Sequence, residues 1–191
     1  MSRHTSSLGN GYFNALYAAK PDPWQFADSA YEKQKYAASL DALPSRRFTE
    51  ALEVGCSIGI FTRALAERCD RVLALDVAPA ALSAARRNCP APHVTFAERR
   101  VPEAWPAGRF DLIVLSEVLY YLTADDIAHV AAQSQTALLP GGTILLVHYL
   151  GETDYPMTGD DAATSFMSAL PLSLLRGVRE DLYRIDVLGT A

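Results

Sequence analysis

The chain is short of cysteine, of positive charge and of long apolar runs. Its three cysteines, Cys56, Cys69 and Cys89, are an odd number without Cys-x-x-Cys spacing. Neither a fully paired disulfide frame nor a cysteine zinc site is expected, and free thiols fit a reducing, cytoplasmic compartment. Lys and Arg number 17 against 22 Asp and Glu, a net charge of −5. With no basic stripe to neutralise phosphates, a nucleic-acid partner is not expected. The four histidines lack metal-ligand spacing, so no metal is expected. Apolar runs such as Thr143–Val147 are far too short to cross a bilayer, and no membrane partner is expected. Arg3 and His4 have no apolar stretch behind them, so no secretory signal is expected either.

What is present suits one domain. Of 191 residues half are hydrophobic and a fifth charged, enough for one sizeable core. Residues 1–10 are polar and read as loosely held. Tyr12, Phe13, Leu16 and Tyr17 have helical spacing. Pro21 and Pro23 force an extended or turned stretch up to Trp24. Ser29 suits the N-cap of a second helix, which Leu43-Pro44-Ser45 ends. Residues 1–45 thus read as a helical cap laid over a cleft. Residues 46–150 read as a core that binds a cofactor, and 151–191 as a segment on the substrate side.

In the core, short apolar runs alternate with helical patterns. Strands are expected over Ala51–Val54, Arg71–Asp76, His93–Phe96, Phe110–Ser116 and Thr143–His148. Helices are expected after Gly59, from Pro79 at a favoured first-turn position, and from Thr123, whose side chain with Asp126 resembles a capping box. Pro140-Gly-Gly142 is expected to stop that last helix before the fifth strand. This rhythm predicts an α/β fold, a doubly wound and mostly parallel sheet. Toward the end, Gly151–Gly159 reads as loop, Asp160–Leu170 as helix, and Leu174–Gly177 and Tyr183–Leu188 as final strands.

The chain is organised around Ala51–Gly59, where a strand runs into a glycine turn and then a helix. Such a turn sets unpaired helix N–H groups beside a cleft at the carboxyl end of a strand. It is not the dinucleotide Gly-x-Gly-x-x-Gly pattern, because Ser57 and Ile60 break it. Asp76 follows Gly59 by seventeen positions and ends the second strand. A carboxylate there can accept from both hydroxyls of a ribose, or can cap the following turn.

Glu53, Gly55 and Gly59 form Glu-x-Gly-x-x-x-Gly, which resembles the first motif of class I S-adenosylmethionine-dependent methyltransferases. Phe110–Tyr121 resembles their fourth motif, and Pro140-Gly-Gly142 follows it as it does in them. At the flanks, Asp22-Pro-Trp24, Tyr31-Glu32, Lys35-Tyr36, Leu43-Pro44, Ser116–Tyr121 and Asp154–Gly159 resemble the nodulation-protein-S (NodS) family. The resemblance implies a Rossmann-like fold and methyl transfer from S-adenosylmethionine, with S-adenosylhomocysteine as product. It also implies N-methylation of the free glucosamine amine of a chitooligosaccharide, a small-molecule or oligosaccharide acceptor. The alternatives are a small-molecule O-methyltransferase and a non-catalytic module that binds S-adenosylmethionine.

The resemblance also implies residue roles. Glu53, Gly55, Cys56 and Gly59 would hold the methionine part of the cofactor, with Ser116 beside them. Asp76 and Val77 would hold the ribose. Trp24 and Tyr31 would cover the cofactor or simply pack the cap. For adenine, either Glu98 or backbone near Arg100 would serve, since Ala97–Val101 lacks the aspartate many class I enzymes carry. An amine acceptor must lose its proton before it attacks. Glu117 is the first candidate to take it, with His148 and Tyr121 also candidates, while Tyr120 and Tyr155 are candidates for binding the acceptor. The sequence leaves the oligomeric state open.

Overall fold

The computed structural model describes residues 3–190. The chain opens with helices α1 (Asn10–Ala19) and α2 (Ala30–Ala42). It then alternates β1 (Phe48–Val54), α3 (Ile60–Ala66), β2 (Cys69–Asp76), α4 (Pro79–Asn88) and β3 (Val94–Glu98). Next come β4 (Phe110–Ser116), a 3-10 turn over Leu119–Tyr121, α5 (Ala124–Ala137) and β5 (Leu138–Tyr149). The chain closes with α6 (Gly159–Ser168), β6 (Ser173–Arg179) and β7 (Tyr183–Gly189). No described helix is long and apolar enough to cross a membrane.

The strands form one sheet in the order β3-β2-β1-β4-β5-β7-β6. Pairings from β3 to β5 are parallel, and β7 runs antiparallel to both of its neighbours. The doubly wound α/β expectation therefore holds. The reason lies in strand alternation, which sends successive side chains to opposite faces. Leu52, Val54, Ile113, Leu115, Ile144 and Leu146 pack on one face with Ile127, Val130 and Phe166 of α5 and α6. Ala51, Leu112, Val114, Leu145 and Val147 pack on the other with Phe61, Leu65 and Leu82 of α3 and α4. Both faces are covered, which is why these strands read as continuous apolar runs.

Several boundaries differ from expectation. β1 starts at Phe48, three residues early, because that buried ring pairs beside Cys69. The helix before Pro140 does end, at Ala137, but β5 already begins at Leu138 and runs through the glycines. The register shifts between Phe110 and Leu112, which absorbs the extra residues as a bulge. α6 starts one residue before the expected Asp160, capped by Thr158, whose side chain accepts from the Asp161 N–H at 3.0 Å. Thr123 and Ser29 cap their helices as expected. Ala78 gives α4 no side-chain cap and is itself buried.

The reading of residues 1–10 as loosely held is corrected for those described. The His4 N–H donates to the Asp154 carbonyl and the Leu8 N–H to the Tyr121 carbonyl. Ser7 Oγ accepts from the Thr123 N–H at 2.8 Å and also donates to Asp126. Leu8 is buried. A polar composition concealed a strap whose backbone bonds reach partners more than a hundred residues away.

The chain changes direction between β1 and β4, the switch point where open α/β sheets bind ligands. There Gly55 takes φ +85°, and a Cβ on it would collide with Val118 and stand 3.1 Å from the Ser116 carbonyl. No other residue fits that turn without displacing the end of β4. Gly59 takes φ +78°, and a Cβ on it would lie 2.9 Å from Ala85 of α4. Its smallness serves helix packing.

Candidate functional site

Above the carboxyl ends of β1, β2 and β4 lies a cavity of about 400 Å³. At one end are Gly55, Ser57, Asp76, Val77 and the segment Arg99–Val101. Tyr17, Trp24 and Phe26 from the cap cover this end. At the other end stand Tyr31, Glu32, Lys35, Glu117, Tyr120, Tyr121 and Tyr155. A small annex of about 20 Å³ lies beneath, lined by Glu53, Gly55, Cys56, Ser116 and Glu117 among others.

Asp76 is held by the turn it faces. Its Oδ2 accepts from the Ser57 N–H at 2.8 Å and its Oδ1 from the Ala78 N–H at 2.9 Å. Burial raises its pKa and these backbone bonds oppose that rise. An ionised carboxylate has about four acceptor sites, so each oxygen keeps capacity for a ligand hydroxyl. Ser57, at φ +48°, also hydrogen-bonds Tyr17 Oη at 2.5 Å. That bond ties α1 to the glycine turn.

Glu53 is 1% exposed, and its Oε2 has no hydrogen-bond partner among the described residues. Burial pushes its pKa up to about 7. For an acid raised above its ordinary 4.5, the stabilising contribution is fully present below 4.5 and is lost as pH rises through 7. The ligand-free protein should therefore lose roughly 3 kcal/mol of stability from this group across that window, at about 1.36 kcal/mol per pKa unit. Glu53→Gln should remove that loss. Urea unfolding at pH 5 and pH 8 checks this; equal pH slopes in both proteins would contradict it.

At the far end, Glu117 has φ +58°, a left-handed backbone that a non-glycine residue seldom adopts. Three donors hold it there. Lys35 Nζ donates to Oε1 at 2.5 Å, while Tyr120 Oη and the Tyr149 N–H donate to Oε2 at 2.6 and 2.9 Å. Burial opposes ionisation, but Lys35 and these bonds outweigh it and lower the Glu117 pKa. Lys35 itself is 1% exposed and also bonds Glu32 Oε1 at 3.1 Å. The Tyr31 ring lies under its ammonium, 5.0 Å away, and the Tyr31 hydroxyl donates to the Leu182 carbonyl. Tyr155 stacks on Tyr120 with centroids 5.3 Å apart and tilts against Tyr121 at 4.6 Å. Burial pushes the Tyr120 and Tyr121 phenols well up, so both stay protonated and serve as donors.

The cavity thus gathers Trp24, Tyr31, Gly55, Asp76, Val77 and Arg100 with Glu117, Tyr120, Tyr121 and Tyr155. Glu53, Cys56 and Ser116 line the annex. Burial raises the Cys56 thiol far above its ordinary value, which suits a small filler and not a thiolate. Three expectations need correction. Gly59 faces Ala85, not the cavity. Glu98 ends an edge strand in solvent and does not line the cavity, while Arg99, Arg100 and Val101 do. His148 is fully buried behind Tyr120, ring centroids 5.8 Å apart, and does not reach the cavity. Burial lowers its pKa to about 4, so it is neutral. Sequence reasoning missed Glu32, Lys35 and Ser57 as site residues. Glu32 and Lys35 lay within motifs already noticed, and their three-residue spacing on one helix was the available signal.

The family model of nodulation protein S (NodS) matches residues 15–147. The chain belongs to the NodS family. It is 38% identical over 132 residues to nodulation protein S of Bradyrhizobium diazoefficiens, covering 66% of this chain and 62% of that protein. Against nodulation protein S of Rhizobium tropici it is 36% identical over 132 residues, covering 66% and 55%. The chain therefore spans less than two thirds of the length of these NodS relatives. Among solved structures, a Pseudomonas syringae protein described as a candidate methyltransferase superposes with TM-score 0.75 at 33% identity. That match covers 84% of this chain and 99% of the other. The N-methyltransferase NodS of Bradyrhizobium japonicum, in complex with S-adenosylhomocysteine, superposes with TM-score 0.83 at 24% identity over 96% and 99%. At that identity the likeness speaks for the Rossmann-like methyltransferase fold.

Proposed function

We propose that this NodS-family protein is an S-adenosylmethionine-dependent methyltransferase whose acceptor is a small polar amine. The specific form is the free glucosamine amine of a deacetylated chitooligosaccharide. The observation that carries the reading is one cavity with a ribose-type carboxylate, Asp76, at one end and a tyrosine and carboxylate cluster at the other.

The residues present fit the cofactor. Val118 excludes any side chain at Gly55, and the bare backbone of that turn lines the cavity. The unpartnered Oε2 of Glu53 suits the ammonium of a methionine moiety. Asp76 has acceptor capacity left for two hydroxyls, and Val101 offers an apolar surface for a base. When bound, S-adenosylmethionine supplies an electrophilic methyl group on a positively charged sulfur. The chain's own part is to bind, orient and exclude water. Trp24 and Phe26 lie over the cofactor end, and Tyr120, Tyr121 and Tyr155 present hydroxyls and ring faces to an acceptor. Holding a lone pair in line at about 3–3.5 Å can supply ~7–11 kcal/mol of the barrier. Glu117, which already accepts from Lys35, Tyr120 and the Tyr149 N–H, orients Tyr120 and the cap.

A transfer assay with labelled methyl donor and an acceptor panel tests this reading. Label on deacetylated chitooligosaccharide and none on its fully acetylated form is the expected result. Transfer only to hydroxyl acceptors would overturn the amine, and NADH binding without S-adenosylhomocysteine binding would overturn the cofactor.

A further inference from the structure

We infer that Glu32, on the cap helix, receives the acceptor's ammonium group and takes its proton. This rests on the reading of the acceptor as an amine. Two carboxylates face that end of the cavity, Glu117 and Glu32, and they differ in how many donors they already hold. Glu117 already accepts three of about four possible bonds, from Lys35 on Oε1 and from Tyr120 and the Tyr149 N–H on Oε2. Glu32 is 6% exposed, lines the cavity, and its Oε2 accepts no hydrogen bond among the described residues. Lys35 Nζ lies 3.0 Å from that oxygen but directs its bond to Oε1.

The charges agree with this assignment. Ionised Glu32, Lys35 and Glu117 sum to −1, so the cluster attracts a cation. An unsatisfied buried carboxylate oxygen is costly, and an ammonium N–H satisfies it. The groups that act on Glu32 are Lys35, Tyr31 and Tyr36 from its own helix and Glu117 from the end of β4. Burial raises the Glu32 pKa against the pull of Lys35, whereas that of Glu117 is lowered, so Glu32 is the stronger base.

The proton step balances within the site. The acceptor R–NH3+ breaks one N–H bond, its proton bonds to Glu32, and its electron pair stays on nitrogen as R–NH2. Glu32 becomes a neutral carboxylic acid, and the cluster then carries no net charge beside a positively charged sulfur.

The test measures binding as well as turnover. Calorimetry on the S-adenosylhomocysteine complex compares glucosamine with N-acetylglucosamine for wild type, Glu32→Gln and Glu32→Asp. Wild type should prefer glucosamine, and Glu32→Gln should lose about 10- to 100-fold of that affinity, as for a hydrogen bond to a charged group. Glu32→Asp should recover part of it. On wild type alone, glucosamine binding should strengthen as rising pH ionises Glu32. No preference in wild type, a preference retained in Glu32→Gln, or pH-independent binding would each overturn the assignment. Intact S-adenosylhomocysteine binding beside such a result would leave the cofactor reading standing; its absence would sink that reading as well.

Discussion

Asp76→Ala should weaken S-adenosylhomocysteine binding by at least about a hundredfold. Two hydroxyls on one carboxylate are hydrogen bonds to a charged group, each worth about 1.5–3 kcal/mol, and every 1.4 kcal/mol is about tenfold. The effect has a second source. Asp76 also accepts from the N–H groups of Ser57 and Ala78, which places the turn that faces the cofactor. Removing it leaves those donors without their acceptor and frees Ser57 from its left-handed backbone. Asp76→Asn separates the two sources, because the amide keeps one acceptor oxygen for the turn but loses the charge. Calorimetry should then place Asn between Asp and Ala. Equal affinity in all three proteins would remove Asp76 from the site.

Lys35→Met should be the most destabilising single change in the cap, about 3–5 kcal/mol near pH 8. Lys35 is the cation between two buried carboxylates, Glu32 and Glu117. Its own pKa is raised by Glu117 and Glu32 despite burial. Its contribution is therefore fully present throughout neutral pH and is lost only in strong alkali, above its ordinary 10.5. Glu117 is lowered below its ordinary 4.5, so its contribution holds above that value and is lost in acid. Without Lys35 the sign for Glu117 reverses: two like charges share a dry site, both carboxylates rise, and the variant becomes less stable as pH increases. Chemical unfolding at pH 5 and pH 8 should show a larger deficit at pH 8. The triple change Lys35→Met, Glu32→Gln and Glu117→Gln should recover most of it, because no unpaired charge remains. A pH-independent deficit would mean that lost packing, not charge, dominates.

The cap is fastened from several directions. Lys35 reaches Glu117, Tyr31 reaches Leu182, Arg176 pairs with Asp41, and Tyr17 meets Ser57. Leu8 and Ser7 strap the chain before α1 onto the segment after β4. None of these links is local, so none left a periodic trace in the sequence. Residues 3–10 looked merely polar for that reason.

The doubly wound sheet, the glycine turn and Asp76 at the end of β2 were all readable from the chain alone. They rest on short-range rules: apolar runs for strands covered on both faces, a bare backbone where a turn is tight, a carboxylate at a strand end. Which carboxylate holds fewer donors, and which histidine is out of reach, depended on the tertiary structure. Lys35 and Glu117 are 82 residues apart in the chain, and His148 is hidden by a tyrosine 28 positions before it. Hydrogen-bond saturation and burial belong to the packed whole, because a side chain's partners are chosen by the fold and not by its neighbours in sequence.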